Sequence, residues 1–367
     1  MKLTKLFATS ALTLLAVPAM AVELTMYGQV EKLMLMVDDG QNTDFNIVDS
    51  TIGGTLLGFT GEQKMDNGLT ASFLLELPIT GNTSNNVTQF NSAGSSTAAT
   101  ETADTLATDW ARVGLSGNFG TVLLGRQDTA ADARSGVDLG DAKELLTNEV
   151  LDMGGSLKFR NATTGGFSSL DVNDVIASFD EENLSNSIRY NSPEFYGLSG
   201  AISAAQGGDM EIGAGYETAL SESFTLAAGL GYRANGDAAP TDTNIEDSVT
   251  KGSVSLRHSN GVAATLGYAQ RNLVNTTSSA VKDPTNLYAK VSYGWDAYAI
   301  GADYSVTEDL NAGVAGSEGT SMGVAATWQL ADGVWTGATV RQISYEDDTT
   351  TNYDDIMVMG LDFGVKF

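Results

Sequence analysis

The last twelve residues of the chain alternate between apolar side chains and small or charged ones. The apolar row is Met357, Met359, Leu361, Phe363, Val365 and Phe367, and the other row is Gly360, Asp362, Gly364 and Lys366. Successive side chains of a β-strand point to opposite faces, so one face of this segment suits lipid and the other suits water. A strand of about ten residues with this alternation is the repeating unit of a transmembrane β-barrel.

Similar segments recur along the chain and predict sixteen strands. Their approximate ranges are 24–37, 50–63, 68–77, 109–117, 120–128, 185–191, 197–206, 210–218, 223–233, 248–258, 261–271, 285–294, 297–306, 320–330, 333–346 and 355–367. The apolar rows tend to end in an aromatic side chain, as at Tyr232 and Trp328. Tyr and Trp are enriched at the level of the lipid headgroups, so these rows indicate an interfacial girdle.

Short and long connections alternate between the predicted strands. The short ones are 66–68, 118–120, 259–261, 295–296 and 331–333, the long ones are 38–49, 78–108, 129–184, 234–247, 272–284, 307–319 and 347–354, and the link at 207–209 is short where a long one is expected. An up-and-down barrel places all short turns at one rim and all long loops at the other. A soluble all-β fold is the alternative, but it gives no reason for this alternation. The predicted fold is an all-β, 16-stranded antiparallel transmembrane β-barrel, whose lumen is too wide for side chains to fill.

The first predicted strand is apolar on both faces. One row holds Met26, Val30, Met34 and Met36, and the other holds Tyr27, Leu33 and Leu35. A strand whose outer face packs against a second subunit would have this composition. The pattern therefore suggests an oligomer.

The N-terminal segment has the features of a secretory signal peptide. Lys2 and Lys5 precede an apolar stretch at 6–17, and Ala19-Met20-Ala21 is a small-x-small cleavage site. The stretch is too short to span a membrane as a helix. A buried N-terminal helix is the alternative to a signal peptide. We expect cleavage near Ala21, which leaves residues 22–367 as the barrel domain.

Composition excludes several classes of function. The chain has no cysteine, so disulfides, zinc–thiolate sites and thiol nucleophiles are ruled out. The formal net charge of −27 argues against nucleic acid as a partner, because phosphate binding needs a basic surface. An acidic protein attracts cations, although a solvated acidic loop surface would have the same composition.

Charged residues divide by sign between the strands and the third long connection. Strand alternation points these bases into the lumen: Arg112, Arg189, Arg233, Arg257, Lys290 and Arg341. The connection 129–184 is acidic, with Asp132, Asp138, Asp141 and Glu144 in its first half and Asp171, Asp174, Asp180, Glu181 and Glu182 in its second. If it folds inward, the first four carboxylates constrict the pore and face the basic wall, and such opposed charges select ions. An acidic loop outside the pore is the alternative, which suits the second half better.

Catalytic chemistry finds little support in the sequence. His258 is the only histidine and is predicted at a strand end beside a short turn, a poor position for a hydrolase triad. Asp171-Val-Asn-Asp174 resembles a fragment of a calcium loop, but the EF-hand pattern is absent. We therefore expect no enzyme activity and no cofactor, with calcium at the acidic loops kept as an alternative.

Several segments resemble the general bacterial porins of Gram-negative outer membranes. They are Leu57-Gly58-Phe59-Thr60-Gly61-Glu62 with Asp66-Asn67-Gly68-Leu69, the stretch 113–127 (Val-Gly-Leu-Ser-Gly-Asn-Phe-Gly-Thr-Val to Gly125-Arg126-Gln127), Ser187-Ile-Arg-Tyr-Asn-Ser-Pro193 with Gly197, and the terminal Phe367. Family members often have an arginine five residues before the Gly114-Leu115 pair. This chain has Asp109 there and Arg112 three residues later.

The resemblance implies a homotrimer in the outer membrane, surrounded by lipid and lipopolysaccharide. Ions and small hydrophilic solutes would pass through it by passive diffusion. It also implies that the third loop, 129–184, enters the pore with acidic residues opposite arginines of the wall. Because this loop is long for the family, residues 154–184 could form an external hairpin. The net charge and the acidic loop predict a weak preference for cations. A substrate-selective channel and a plugged structural or adhesive barrel are the alternatives.

Overall fold

The computed structural model describes residues 22–89, 105–179, 184–236, 245–274, 276 and 281–367. The predicted signal peptide at 1–21 lies outside the described residues, as do Asp180, Glu181 and Glu182. In the described ranges, no helix has both the length and the apolar character needed to span a membrane.

Strands dominate the described chain. They are β1 (Glu23–Asp38), β2 (Thr43–Asp49), β3 (Leu56–Lys64), β4 (Thr70–Thr80), β5 (Thr105–Leu106), β6 (Ala111–Gly117), β7 (Gly120–Asp128), β8 (Lys158–Arg160), β9 (Phe167–Asp171), β10 (Leu184–Asn191), β11 (Leu198–Ala205), β12 (Met210–Ala219), β13 (Phe224–Ala234), β14 (Ile245–His258), β15 (Val262–Val274), β16 (Thr285–Trp295), β17 (Tyr298–Glu308), β18 (Glu318–Ala331), β19 (Val334–Glu346) and β20 (Ile356–Lys366). Within the described ranges, helical structure is limited to α1 (Asp132–Ser135) and the 3₁₀ turns Ser84–Asn86, Val150–Asp152 and Val172–Asp174.

The strands form a closed antiparallel barrel. Neighbours along the chain pair in succession, and β20 returns to pair with β1 from Asp38↔Met357 to Gln29↔Lys366. Sixteen barrel strands result, because β2 and β3 are two parts of one strand, β5 only extends the edge of β4, and β8 and β9 pair solely with each other. The predicted fold class and the predicted closure by the last strand are confirmed.

The second barrel strand begins earlier than the sequence predicted. The expected long connection at 38–49 is wrong, because β2 pairs with β1 from Asp38↔Thr43 to Lys32↔Asp49. The Asp39 carboxylate accepts hydrogen bonds from the backbone N–H groups of Gln41 (3.1 Å) and Asn42 (2.9 Å) and closes a tight turn. Because the turn and β2 are both rich in polar residues, their composition is that of a loop. The strand predicted at 50–63 is itself interrupted at 50–55.

The outer surface carries the predicted apolar rows. Leu361 and Phe363 of β20 and the following Phe367 are exposed, whereas Asp362 on the opposite row is buried. Near the short turn at 295–296, the rings of Tyr293, Trp295, Tyr298 and Trp328 stack in this order with centroids 5.2, 5.8 and 5.7 Å apart. An aromatic girdle is thus present on adjacent strands.

An apolar cluster lies on the other side of the barrel wall. The segment between β7 and β10 contributes Leu145, Leu146, Val150, Met153, Leu157, Phe159, Val172, Val175, Ile176 and Phe179. Leu33 and Leu35 of β1 pack into the same cluster with Ile356 and Val358 of β20. The inner row of β1 is apolar because this segment covers it, so the two-sided apolar pattern of the first strand has an explanation within the chain.

Candidate functional site

Backbone groups of the long segment 129–179 bind side chains on the inner rows of the strands. The N–H of Ala131 donates to Glu211 (2.9 Å), that of Leu139 to Ser255 (2.9 Å), that of Asp141 to Ser292 (2.9 Å) and that of Ala177 to Thr307 (3.0 Å). An irregular segment against a wall must satisfy its backbone donors locally. The Glu211 carboxylate on β12 and small hydroxyl side chains on β14, β16 and β17 supply these acceptors.

Glycines in the strands let the segment come close to the wall. A Cβ atom at Gly213 would lie 2.1 Å from the carbonyl oxygen of Ala130, and one at Gly229 would lie 2.0 Å from that of Arg134. At Gly319 the corresponding distance to the Val175 carbonyl is 2.2 Å. Only glycine fits under such an approach. In the sequence these glycines look like ordinary strand glycines.

Three of the four carboxylates predicted at the constriction form ion pairs with bases on the barrel wall. Asp132 pairs with Lys251, which was not among the predicted bases, Asp138 Oδ2 lies 2.8 Å from Lys290 Nζ, and Asp141 Oδ2 lies 2.9 Å from Arg257 Nη1. Two of these three pairs therefore join predicted partners, and the third joins Asp132 to Lys251. These carboxylates bind the wall directly.

The pair between Asp138 and Lys290 is the most enclosed of the three. The Lys290 side chain is 1% exposed and also donates to the carbonyl of Leu146 (2.8 Å). Asp138 accepts further hydrogen bonds from the Gly140 N–H (2.7 Å) and the Thr265 hydroxyl (2.8 Å). Burial would raise the pKa of Asp138, but the attraction of Lys290 and these hydrogen bonds outweigh it and hold the pKa below its usual value.

Two further predicted bases bind carboxylates on the strands. Arg341 Nη2 lies 2.8 Å from Asp303 Oδ2, and both side chains are buried. Arg233 pairs with Glu246. The strand register explains the pair of Arg341 and Asp303. Gly323 is opposite both residues and leaves room for them to meet across it.

The remaining members of the predicted site differ from these. Arg189 donates to the backbone carbonyl of Asp128 (2.7 Å). The Arg112 guanidinium lies over the Trp110 ring, 4.8 Å from its centroid, and forms no ion pair within the described ranges. Glu144 also has no ion-pair partner among the described residues, and it lines a cavity of about 630 Å³ with Arg257 and Trp295.

A hairpin in the second half of the segment contains a buried ion pair that sequence reasoning missed. Strands β8 and β9 form this hairpin, and Arg160 Nε lies 2.7 Å from Asp39 Oδ2. The Arg160 guanidinium also stacks over Phe167 at 3.8 Å. The Ala162 N–H donates to the Asn352 carbonyl (2.9 Å). The hairpin is thereby attached to the turn after β1 and to the connection between β19 and β20.

No metal site accompanies these charges in the part of the chain that the structure describes. There, no three His, Cys, Asp or Glu side chains come together as metal ligands would. Calcium at the acidic loops stays a prediction.

A closed barrel of sixteen strands, with an apolar outer face and charged inner rows, defines a transmembrane β-barrel of the bacterial outer-membrane type. The sequence profile of the Gram-negative porin family matches residues 8–348, so the chain belongs to this family and to the outer membrane. The predicted family resemblance and localisation are confirmed.

Individual relatives are distant. The chain is 27% identical to major outer membrane protein P.IB of Neisseria gonorrhoeae over 61% of its length, and this match spans only 56% of that relative. It is 24% identical to P.IB of Neisseria lactamica, over 91% of the chain and 96% of the relative.

Two solved structures share the fold at low identity. A trimer form of OmpT of Vibrio cholerae is 13% identical, with a TM-score of 0.60 over 95% of this chain and 100% of that one. The anion-selective porin of Comamonas acidovorans is 13% identical, with a TM-score of 0.56 over 95% of this chain and 100% of that one.

Proposed function

We propose that the protein is a non-enzymatic channel through which ions and small hydrophilic solutes diffuse passively across the outer membrane. The closed sixteen-stranded barrel carries this proposal, because a barrel of that size encloses more space than its inward side chains can fill. Membership of the porin family supports it.

The segment 129–184 narrows this channel from within. Its contacts with Glu211, Ser255, Ser292 and Thr307 support the proposal, because these side chains lie on the rows opposite the exposed apolar ones. Gly213 and Gly229 support it further, since the segment could not approach a wall with larger side chains.

A plugged barrel with a structural or adhesive role is the competing function, and the apolar cluster around Leu145 and Phe159 favours it. Swelling of liposomes in sugars of graded size separates the two. A channel admits small sugars faster than large ones, whereas a plug admits none. Current that saturates with one solute would instead indicate a substrate-selective channel.

We also propose a weak preference for cations. The formal charge of −27 supports it, because an acidic surface concentrates cations at the channel mouth. Reversal potentials in a salt gradient test this proposal. A potential that favours chloride would contradict it.

The outer face of β1 and β2 is proposed as the contact between subunits of a trimer. Lys32 lies on the row of Met34, is 50% exposed and pairs with Asp49 (2.5 Å). A lysine facing lipid near the midplane costs on the order of 2–4 kcal/mol, whereas a protein contact can satisfy it. Phe45 and Ile47 are exposed beside it.

Crosslinking in mild detergent should give trimers, and monomers alone would contradict this assignment. Lipopolysaccharide around the trimer stays a prediction.

A further inference from the structure

The inner rows of the barrel strands differ in exposure around the circumference. From β10 to β20, each strand has buried residues on its inner row, including Arg189, Ser255 and Ser305. On β4 from Thr70 to Glu76, and on β6, the inner rows are half-buried instead, as at Ser72, Glu76 and Arg112. The register identifies these as inner positions, because Phe73 pairs with the exposed Val113 and Leu74 pairs with Arg112.

The long segment contacts only part of this circumference through the bonds described above. Those hydrogen bonds and ion pairs run from Glu211 on β12 to Thr307 on β17. The segment's apolar side chains pack on β1, β19 and β20, next to Leu33, Ile343 and Ile356. The half-buried rows on β4 and β6 lie on the remaining side of the barrel.

Glu76 is held in place on this side by a tyrosine from two strands away. Tyr27, Gly58 and Glu76 lie in one line across β1, β3 and β4. The Tyr27 ring covers Gly58, where a Cβ atom would lie 2.1 Å from its Cζ, and its hydroxyl donates to Glu76 Oε2 at 2.7 Å. The glycine lets the ring cross β3, so the carboxylate is oriented without being neutralised.

Arg112 is placed beside this carboxylate on the next strand. It is opposite Leu74, two residues from Glu76, and its guanidinium rests on the Trp110 ring. Arg112 forms no ion pair within 4 Å in the described chain, so Glu76 and Asp128 act on its charge only from a longer distance. The bases Arg233, Arg257, Lys290 and Arg341 are each paired with a carboxylate.

We propose that the conduction path runs along β3, β4 and β6, and that Glu76 and Arg112 determine which ions pass. Asp138 and Asp141 anchor the long segment and are not the selecting charges. This inference rests on the proposed channel function and assigns specificity to two side chains of opposite sign on one wall. Removal of either charge leaves the other to dominate the field along the path.

Charge-neutralising variants test the selecting residues. Glu76→Gln should lower the cation-to-anion permeability ratio by roughly two- to fivefold and Arg112→Gln should raise it by a similar factor, as expected for one unit charge a few Å away in water. Asp332→Asn is the control, because Asp332 is an exposed carboxylate in the short turn between β18 and β19 and lies outside this wall, and it should leave the ratio unchanged. Unchanged ratios in both Gln variants of Glu76 and Arg112 would overturn the assignment.

Cysteine accessibility tests the path itself, because the chain has no cysteine of its own. In reconstituted channels, a cationic methanethiosulfonate reagent should reduce the current of Ser72→Cys and leave Ser305→Cys unaffected. Both variants replace an inner-row serine, but Ser305 is 1% exposed. Reaction at Ser305→Cys without reaction at Ser72→Cys would overturn the path while the channel function stands. A folded wild-type protein that carries no current would contradict the channel function and this inference with it.

Discussion

Asp39 and Arg160 form an ion pair that water barely reaches, since their side chains are 0% and 1% exposed. Two buried charges that satisfy each other contribute little net stability, but a single one left alone is costly. The pair joins the hairpin β8–β9 to the turn after β1. A sequence offers no signal for it, because 121 residues separate the partners and neither lies in a recognisable motif.

Removal of one partner should therefore cost more than removal of both. Asp39→Asn and Arg160→Met should each lower the free energy of unfolding by about 3 kcal/mol, and the double variant should lose clearly less than the sum. Lys282→Met is the control, because Lys282 is 61% exposed in its pair with Asp309 and should change stability by only about 0.5 kcal/mol. Denaturant unfolding in lipid measures all four variants. Additive losses would contradict the account of this pair.

The enclosed pair of Asp138 and Lys290 predicts a specific pH dependence. The pKa of Asp138 is lowered in the folded protein, so its stabilisation is complete above the unfolded Asp value of about 3.9 and is lost as the pH falls through the folded pKa. Asp138→Asn should lower the unfolding midpoint at neutral pH but not at strongly acidic pH. Thermal scans from pH 7 to pH 2 measure this difference. A difference that stays constant to the lowest pH would contradict the assignment.

Among the elements, the strands were far easier to predict than the segment that packs on them. Alternation of side chains fixes the faces of β20, because lipid and water impose opposite demands on its two rows. It fails for β1, where the inner Leu33 and Leu35 meet an apolar cluster instead of water. It fails again for β2, whose polar residues resemble a loop. The failure at β1 has a physical cause, namely that contacts with a distant segment replace solvent.

The strand glycines under the long segment provide a test at this scale. Gly229→Ala should displace the segment, because the new Cβ would lie 2.0 Å from the Arg134 carbonyl oxygen. Gly200→Ala is the matched control, since the nearest atoms to its Cβ lie at 3.8 Å. We expect a changed single-channel conductance and faster proteolysis of residues 129–184 for Gly229→Ala only. Equal behaviour of the two variants would show that the segment does not rest on this wall.

For the candidate site, residue types were easier to predict than their partners. Strand alternation placed Arg257, Lys290 and Arg341 on inner rows, and each binds a carboxylate. Strand alternation could not show that Asp138 and Asp141 bind the wall directly, where a gap of water was expected. The path of an irregular segment depends on glycines and hydroxyls along the wall, and alternation does not reveal that path. The charges left without an ion-pair partner in the described chain include Arg112 and Glu144.

At the scale of the whole molecule, the barrel separates lipid from an enclosed interior, and we propose that the segment 129–184 determines how much of this interior stays open. The apolar rows and the girdle at Trp295 and Tyr298 fit the barrel to a membrane. The inner apolar cluster fills one side of the interior, and the half-buried rows on β4 and β6 line the other. This asymmetry supports the proposal of a channel that is narrowed but not closed.

Single-channel recording of the purified protein in planar bilayers tests whether the barrel is open. An open channel should give discrete and long-lived current steps whose size rises in proportion to salt concentration and falls when small sugars enter the lumen. A folded protein that inserts into the bilayer but gives no steps at any salt concentration would contradict it.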